Sequence, residues 1–286
     1  MSESVASSSA TAVMSGRPRV TKRRVAVGLL IAAIGLPSIV WAPAFDLLVL
    51  AIGLACLYEL NALCEIKGQE LEYPIAVLGV FAYIVLASLN RLQKWEGVLL
   101  AGVTIAAFSI GMYGDQRGYF ARTAYTLLAV LYIGKLLTYI VFLRNVPGVG
   151  AYWTVFALLC IALTDIFGML IGNRFGRTQL TRISPKKTVE GSLGALLAVS
   201  ALAAIASSYA PLGLTLWQAV ALAAATNIGA QAGDLVESAL KRDVGVKDTG
   251  TAIVGHGGFL DRFDSYLFGG TVFFAALHIL GLLSVR

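Results

Sequence analysis

Long apolar runs separated by short polar turns fill most of the chain from residue 25 onward. They fall at approximately 25–43, 46–63, 73–90, 96–114, 124–143, 152–172, 192–209, 215–235 and 266–284. Each is close to the ~20 mostly apolar residues that a helix needs to cross a bilayer. None shows the two-residue alternation of a membrane β-strand. The pattern predicts an all-α, polytopic integral membrane protein of about nine transmembrane helices. Boundaries of the second run, which begins near Asp46 and keeps Glu59 inside, and of the fourth, the least hydrophobic, are the freest to move.

Composition agrees with this pattern. Hydrophobic residues make up 58% of the chain and charged residues 13%, about half the charge of a typical soluble domain. Lysine and arginine are unevenly spread, and cytoplasmic loops are the ones enriched in them. With nine spans and the N-terminus inside, the cytoplasmic face carries Arg17, Arg19, Lys22, Arg23, Arg24, Lys67, Arg117, Arg122, Arg174, Arg177, Arg182, Lys186, Lys187, Lys241, Arg242, Lys247 and Arg262. Only Arg91, Lys94, Arg144 and Arg286 fall outside. The net charge of +6 thus becomes a basic inner face suited to anionic lipid headgroups. Nucleic acid is a poor partner for so hydrophobic a chain. Residues 1–24 read as a polar, basic, disordered tail, a better fit to a solvated anchor than to a transit peptide. Residues 25–150 read as a helical scaffold and 151–286 as a catalytic region. Cys56, Cys64 and Cys160 lack metal or redox spacing and read as packing residues.

Charge is concentrated between Gly233 and Ser265, where Asp234, Glu237, Asp243, Asp248, Asp261 and Asp264 stand among Lys241, Arg242, Lys247 and Arg262. Asp234, Glu237, Ser238 and Lys241 are spaced i, i+3, i+4, i+7, so they share one helical face. Asp261, Asp264 and Ser265 repeat the start of that spacing where the last run begins, and carboxylates there gain from the helix dipole. Two such helix ends meeting across a polar, cytoplasm-facing cavity would offer hard oxygen ligands. Mg²⁺ takes one or two carboxylates together with substrate phosphates and water. These residues point to metal-assisted phosphate chemistry at a membrane surface.

Other positions add to that cavity or to the frame around it. In Ser184-Pro185-Lys186-Lys187-Thr188-Val189-Glu190-Gly191, paired ammonium groups precede a helix start at Thr188. This loop reads equally as a phosphate cradle or as topology punctuation. Asp165 lies inside an apolar run ahead of Gly168, Gly172 and Gly176, which allow close helix packing or substrate approach. A buried acid of this kind is a functional candidate. Glu59 reads as structural, either snorkelling or bonding a neighbouring helix, and Lys135 as snorkelling or packing. His256, before Gly257 and Gly258, fits a phosphate or base contact better than a metal ligand, and His278 is structural.

The run SxLKRxxxxKDxG followed by HGGxxDRxD, here Ser238, Leu240, Lys241, Arg242, Lys247, Asp248 and Gly250, then His256, Gly257, Gly258, Asp261, Arg262 and Asp264, resembles the C-terminal motif of the phosphatidate cytidylyltransferase (CDP-diacylglycerol synthase) family. The upstream blocks at Asp234 and Ser184–Gly191, and Asp165 before the glycines, extend the likeness over the C-terminal half. Val254 departs from the Pro, Gly or Ser usual there. The resemblance implies that CTP and phosphatidic acid are joined to give CDP-diacylglycerol and pyrophosphate, with Mg²⁺, a monovalent cation such as K⁺, and a homodimer. On this reading Asp234, Asp261 and Asp264 hold metal and Asp248 supports them. Lys241, Arg242, Arg262 and His256 join them at the reacting centre, and Ser184, Lys186, Lys187, Ser238 and Lys247 bind phosphates. Asp165, Glu190 and Glu237 complete the polar cavity. A CTP-dependent polyprenol or phytol kinase and an ion-coupled transporter are the competing expectations. The expected setting is a bacterial inner membrane, with an organellar one as the alternative.

Overall fold

A computed structural model describes residues 35, 37–113, 117–250 and 257–283. Among these the chain is helical, with no strand longer than a single bridge between Gln179 and Thr188. The helices are α1 Ala42–Ile66, α2 Tyr73–Ser88, α3 Leu92–Gly111, α4 Tyr119–Arg144, α5 Gly150–Phe175, α6 Val189–Ala206, α7 Leu216–Val244 and α8 Leu260–Ile279. They fall on the last eight of the nine apolar runs. The first run lies mostly outside the described residues, as do the basic tail, His256 and Val254.

Five helices, α1 and α3 to α6, are long and apolar enough to cross a membrane. At ~1.5 Å per residue, the 16-residue α2 reaches only about 24 Å. Helices α7 and α8 have the length, but the polar side chains along them keep them out of this apolar set. The two least apolar of the long helices are therefore those carrying the charged motif.

Helix ends follow local chemistry. Proline occupies the first turn of α1 and of α2, where its missing N–H has no intrahelical role. Thr188 caps α6 by accepting the Gly191 N–H at 3.1 Å, as its place in the sequence predicts. Thr215 and Gln218 close a reciprocal capping box on α7, and Gly245, with φ of 79°, ends that helix in the left-handed conformation glycine favours. Within α4, residues Val130–Lys135 form a π-helical turn. The Asp46 carboxylate is buried at the start of α1, where it accepts from Ser88 Oγ at 2.6 Å and Asn145 Nδ2 at 3.3 Å.

Two apolar cores sit side by side. One gathers Phe45, Leu57, Tyr83, Ile84, Ile133 and Leu137 from α1, α2 and α4. The other gathers Trp153, Phe156, Val199, Leu222 and Phe273 from α5 to α8. Helix α8 enters both, with Leu260 and Leu267 in the first and Phe273 and Leu277 in the second. It lies tightly on α7: a Cβ at Gly233 would stand 2.5 Å from the Asp264 carbonyl oxygen. That closeness brings the two acidic stripes together.

Candidate active site

Helices α5, α7 and α8 and the α5–α6 connection enclose an open cavity of about 970 Å³. Asp165, Lys186, Lys187, Asp234, Glu237, Lys241, Asp261, Arg262 and Asp264 all reach its wall. Each of these is a residue that the sequence singles out for the site, and the fold brings them together.

At the centre, Asp234, Glu237 and Asp264 each present an oxygen, the three lying within 4.8 Å of one another. Carboxylates at such separations repel unless cations stand among them. Two lysines do. Lys187 Nζ lies 2.5 Å from Asp234 Oδ2, and Lys241 Nζ lies 2.5 Å from Glu237 Oε2 and 2.7 Å from Asp261 Oδ1. Glu237 is 1% exposed, and besides Lys241 its carboxyl faces the side chain of Asp261. Carboxylates gathered out of water repel one another, and a divalent cation shared by Asp234, Glu237 and Asp264 would relieve that repulsion. The donor set is all hard oxygen, which suits Mg²⁺ rather than a softer metal.

Asp261 stands differently from its expected place among the metal ligands. Its Oδ1 faces Lys241, and its Oδ2 accepts from Gly258 N at 2.7 Å, Thr249 N at 2.9 Å and Thr249 Oγ1 at 3.0 Å. These donors come from the protein itself, and the three acids whose oxygens gather within 4.8 Å are Asp234, Glu237 and Asp264.

Several other expected residues lie beside the cavity without lining it. Glu190 turns to the α5–α6 connection and accepts the backbone N–H groups of Arg177 at 3.0 Å and Thr178 at 3.1 Å. Arg242 donates to the Val246 carbonyl at 3.2 Å and reaches the Ile183 carbonyl at 3.5 Å, tying that connection to the end of α7. The carbonyl of Ser184 accepts the Lys187 N–H at 3.0 Å, which shapes the turn presenting the lysine. Ser238 is buried one turn from Asp234, and Lys247 and Asp248 are exposed beyond the end of α7. Gly172 and Gly176 serve packing: a Cβ at Gly176 would stand 2.6 Å from Thr188 Cγ2.

The cavity also contains polar groups that the charge pattern alone does not single out. Asn227 Nδ2 donates to Thr164 Oγ1 at 2.8 Å, Gln231 Nε2 donates to Asn227 Oδ1 at 2.5 Å, and Ser192 Oγ bonds Gln231 Oε1. This ladder joins α5, α6 and α7, and Thr164, Ser192 and Gln231 line the wall. Glu59 of α1, structural by its sequence context, has a definite partner in the fold: the start of α8. Its Oε1 accepts Phe259 N at 2.8 Å, and its Oε2 accepts Leu260 N and Thr249 Oγ1, both at 2.9 Å. Lys135 pairs with Glu96 of α3.

Compared with known proteins, the sequence matches a family model described as the cytidylyltransferase family over residues 22–280. The chain belongs to the cytidylyltransferase family. Among its relatives, phosphatidate cytidylyltransferase of Bacillus subtilis (strain 168) is 32% identical over 254 residues, covering 86% of this chain and 94% of the relative. Phosphatidate cytidylyltransferase of Staphylococcus haemolyticus (strain JCSC1435) is 32% identical over 222 residues, covering 75% of this chain and 84% of the relative. Phosphatidate cytidylyltransferase 5, chloroplastic, of Arabidopsis thaliana is 33% identical over 292 residues, covering 91% and 72%. As a cytidylyltransferase family member, the chain is a membrane-bound nucleotidyltransferase.

Proposed function

We propose that the chain transfers the cytidylyl group of CTP to phosphatidic acid, giving CDP-diacylglycerol and pyrophosphate in phospholipid synthesis. The observation that carries this reading is the acidic trio Asp234, Glu237 and Asp264 set among Lys187, Lys241 and Arg262 in one cavity. A cavity of about 970 Å³ lies at the upper end of ordinary ligand pockets, roughly 300–1,000 Å³, and admits a nucleotide beside a lipid headgroup. Relatives bearing the name phosphatidate cytidylyltransferase in bacteria and a plant support the substrate pair.

A lipid phosphate oxygen forms a bond to the α-phosphorus of CTP, and the bond from that phosphorus to the oxygen leading to the β-phosphate breaks, releasing pyrophosphate. The attacking phosphate is already an anion, so the protein's task is positioning and charge neutralisation rather than proton removal. Lys187, Lys241 and Arg262 lower the repulsion between two anionic substrates, and Lys186 adds charge at the rim. Asp234, Glu237 and Asp264 would hold Mg²⁺, which would supply positive charge to offset that of the triphosphate and the leaving pyrophosphate. Asp261 orients Lys241 beside that trio, while Arg242 and Glu190 hold the connection carrying Lys187. Asp165 lies across the cavity as a further acceptor.

The basic loops support a cavity opening at the cytoplasmic face, where CTP is supplied, in a nine-span chain of a bacterial inner membrane. We assign residues 25–150 to scaffold and 151–286 to catalysis. A homodimer and a monovalent cation beside Mg²⁺ belong to the same reading.

Purified protein incubated in detergent with phosphatidic acid and CTP is expected to yield CDP-diacylglycerol and pyrophosphate only when Mg²⁺ is present, as read by mass spectrometry of the lipid. Phospho-lipid with CDP from an alcohol acceptor would instead identify a kinase, and folded protein making no CDP-lipid would overturn the proposal.

A further inference from the structure

We propose that Glu59, on α1 in the N-terminal half, is a positioning residue for this reaction, holding Lys241 in place through Thr249 and Asp261. The contacts form a continuous chain. Glu59 is 4% exposed, and its two oxygens accept from Phe259 N, Leu260 N and Thr249 Oγ1. Thr249 in turn meets Asp261 Oδ2 through both its N–H and its hydroxyl, and Asp261 Oδ1 meets Lys241 at 2.7 Å. One threonine hydroxyl proton is therefore shared between two carboxylates.

The arrangement does more than cap a helix. The first N–H groups of a helix need partners from outside it, and a backbone-bound water or a local Asp would suffice. Here the partner comes from a distant helix, and the same carboxylate reaches Thr249 on the far side of the segment joining α7 to α8. Both ends of that segment, at Thr249 and at Gly258 to Leu260, are fixed to one side chain. Packing is close enough to require glycine: a Cβ at Gly258 would collide with both Glu59 Oε2 and Thr249 Oγ1. Asp261 Oδ2 is thus set by groups that Glu59 holds, and its other oxygen is left to aim the lysine. Residues that orient a metal ligand from one contact away are worth about 10- to 100-fold when removed, and Glu59 acts from two contacts further along such a chain.

The inference rests on Lys241 serving the substrate phosphates, as proposed above. In Glu59→Gln an amide N–H₂ must face at least one of the donors Phe259 N, Leu260 N and Thr249 Oγ1. The test is steady-state kinetics on purified variants, normalised to the monodisperse folded fraction, with CTP and phosphatidic acid varied in turn. Glu59→Gln is expected to lower kcat/KM by about tenfold, the lower end of that range, and to raise the KM for CTP or for phosphatidic acid severalfold. A merely structural role would reduce folded yield and leave both KM values alone. Asp46→Asn is the control: a buried carboxylate on the same helix, 13 residues earlier and so roughly 20 Å away along the axis, expected to leave both KM values unchanged. Thr249→Val removes the shared hydroxyl and keeps the cap, and is expected to move KM in the same direction by a smaller factor. Wild-type KM values in both folded variants, or in Thr249→Val alone if Glu59→Gln does not fold, would overturn the proposal. An inactive wild-type protein would instead overturn the reaction on which it rests.

Discussion

Asp234→Asn is expected to lower CDP-diacylglycerol formation by on the order of a thousandfold, since charge stabilisation at a reacting phosphate is the largest single contribution such a site makes. The substitution keeps the side chain's volume and removes only its charge. Asp234 lies one turn from Glu237 on α7 and faces Asp264 across the close α7–α8 contact. It is also the partner of Lys187. Asn is therefore expected to weaken the proposed cation site and to release the lysine at once. The residue is partly exposed to the cavity, with 30% of its side chain accessible, so folding should tolerate the change. Two measurements check this: turnover at saturating substrates, and Mn²⁺ binding followed by paramagnetic resonance without substrate. Near-normal turnover, or unchanged Mn²⁺ affinity, would remove Asp234 from the metal site.

The second large effect is expected from a single methyl group. Gly258→Ala places a Cβ against Glu59 Oε2 and Thr249 Oγ1 at separations no relaxed structure shows. Overpacking of this kind costs about 1–3 kcal/mol. Either Glu59 withdraws from Phe259 N and Leu260 N, leaving the first turn of α8 without its partner, or that turn shifts and carries Asp261 with it. The unfolding midpoint in detergent should fall, and activity should fall further than the folded fraction does. Gly102 on α3, with nothing within 4 Å of where its Cβ would be, supplies the comparison, and Gly102→Ala should change neither quantity. Wild-type stability and activity in Gly258→Ala would show that the α7–α8 join relaxes freely.

Much of the site is legible in the sequence because charge is rare in this chain. Against an apolar background, Asp234, Glu237, Lys241, Asp261 and Asp264 stand out, and helical spacing alone puts them on facing stripes. What spacing does not supply is which oxygen faces which neighbour. Asp261 and Glu237 look interchangeable as acids, but only in the fold does Asp261 meet backbone donors at Thr249 and Gly258 while Glu237 joins Asp234 and Asp264 in the close trio. Asn227, Gln231 and Asp234 already lie on one helical face at i, i+4 and i+7. Uncharged amides are less conspicuous than acids, so the ladder they make with Ser192 and Thr164 escapes a reading based on charge. Glu59 is visible as an acid in an apolar run. Its partner is 200 residues away in sequence, a separation that no local pattern encodes. Helix α2, by contrast, stands where its apolar run predicts but is only 16 residues long, because Leu89 and Asn90 end it early through a left-handed turn at Asn90 with φ of 53°.

The ion pair between Glu96 and Lys135 bears on how the chain enters the bilayer. Glu96 lies in the first turns of α3, the least apolar of the five helices able to span, and Lys135 ends the π-helical turn of α4. A charge in hydrocarbon costs up to about 2.5–3.5 kcal/mol on insertion scales, the full amount applying at the helix centre, and Glu96 and Lys135 are of opposite sign. Brought together, the two charges cancel and neither is left facing hydrocarbon alone. During synthesis α3 emerges first and holds its acid until the lysine follows about 40 residues later, a delay of a few seconds at ~5–20 residues per second. The partner that neutralises the α3 acid thus arrives only with α4, which ties the two helices together as a charge-balanced pair.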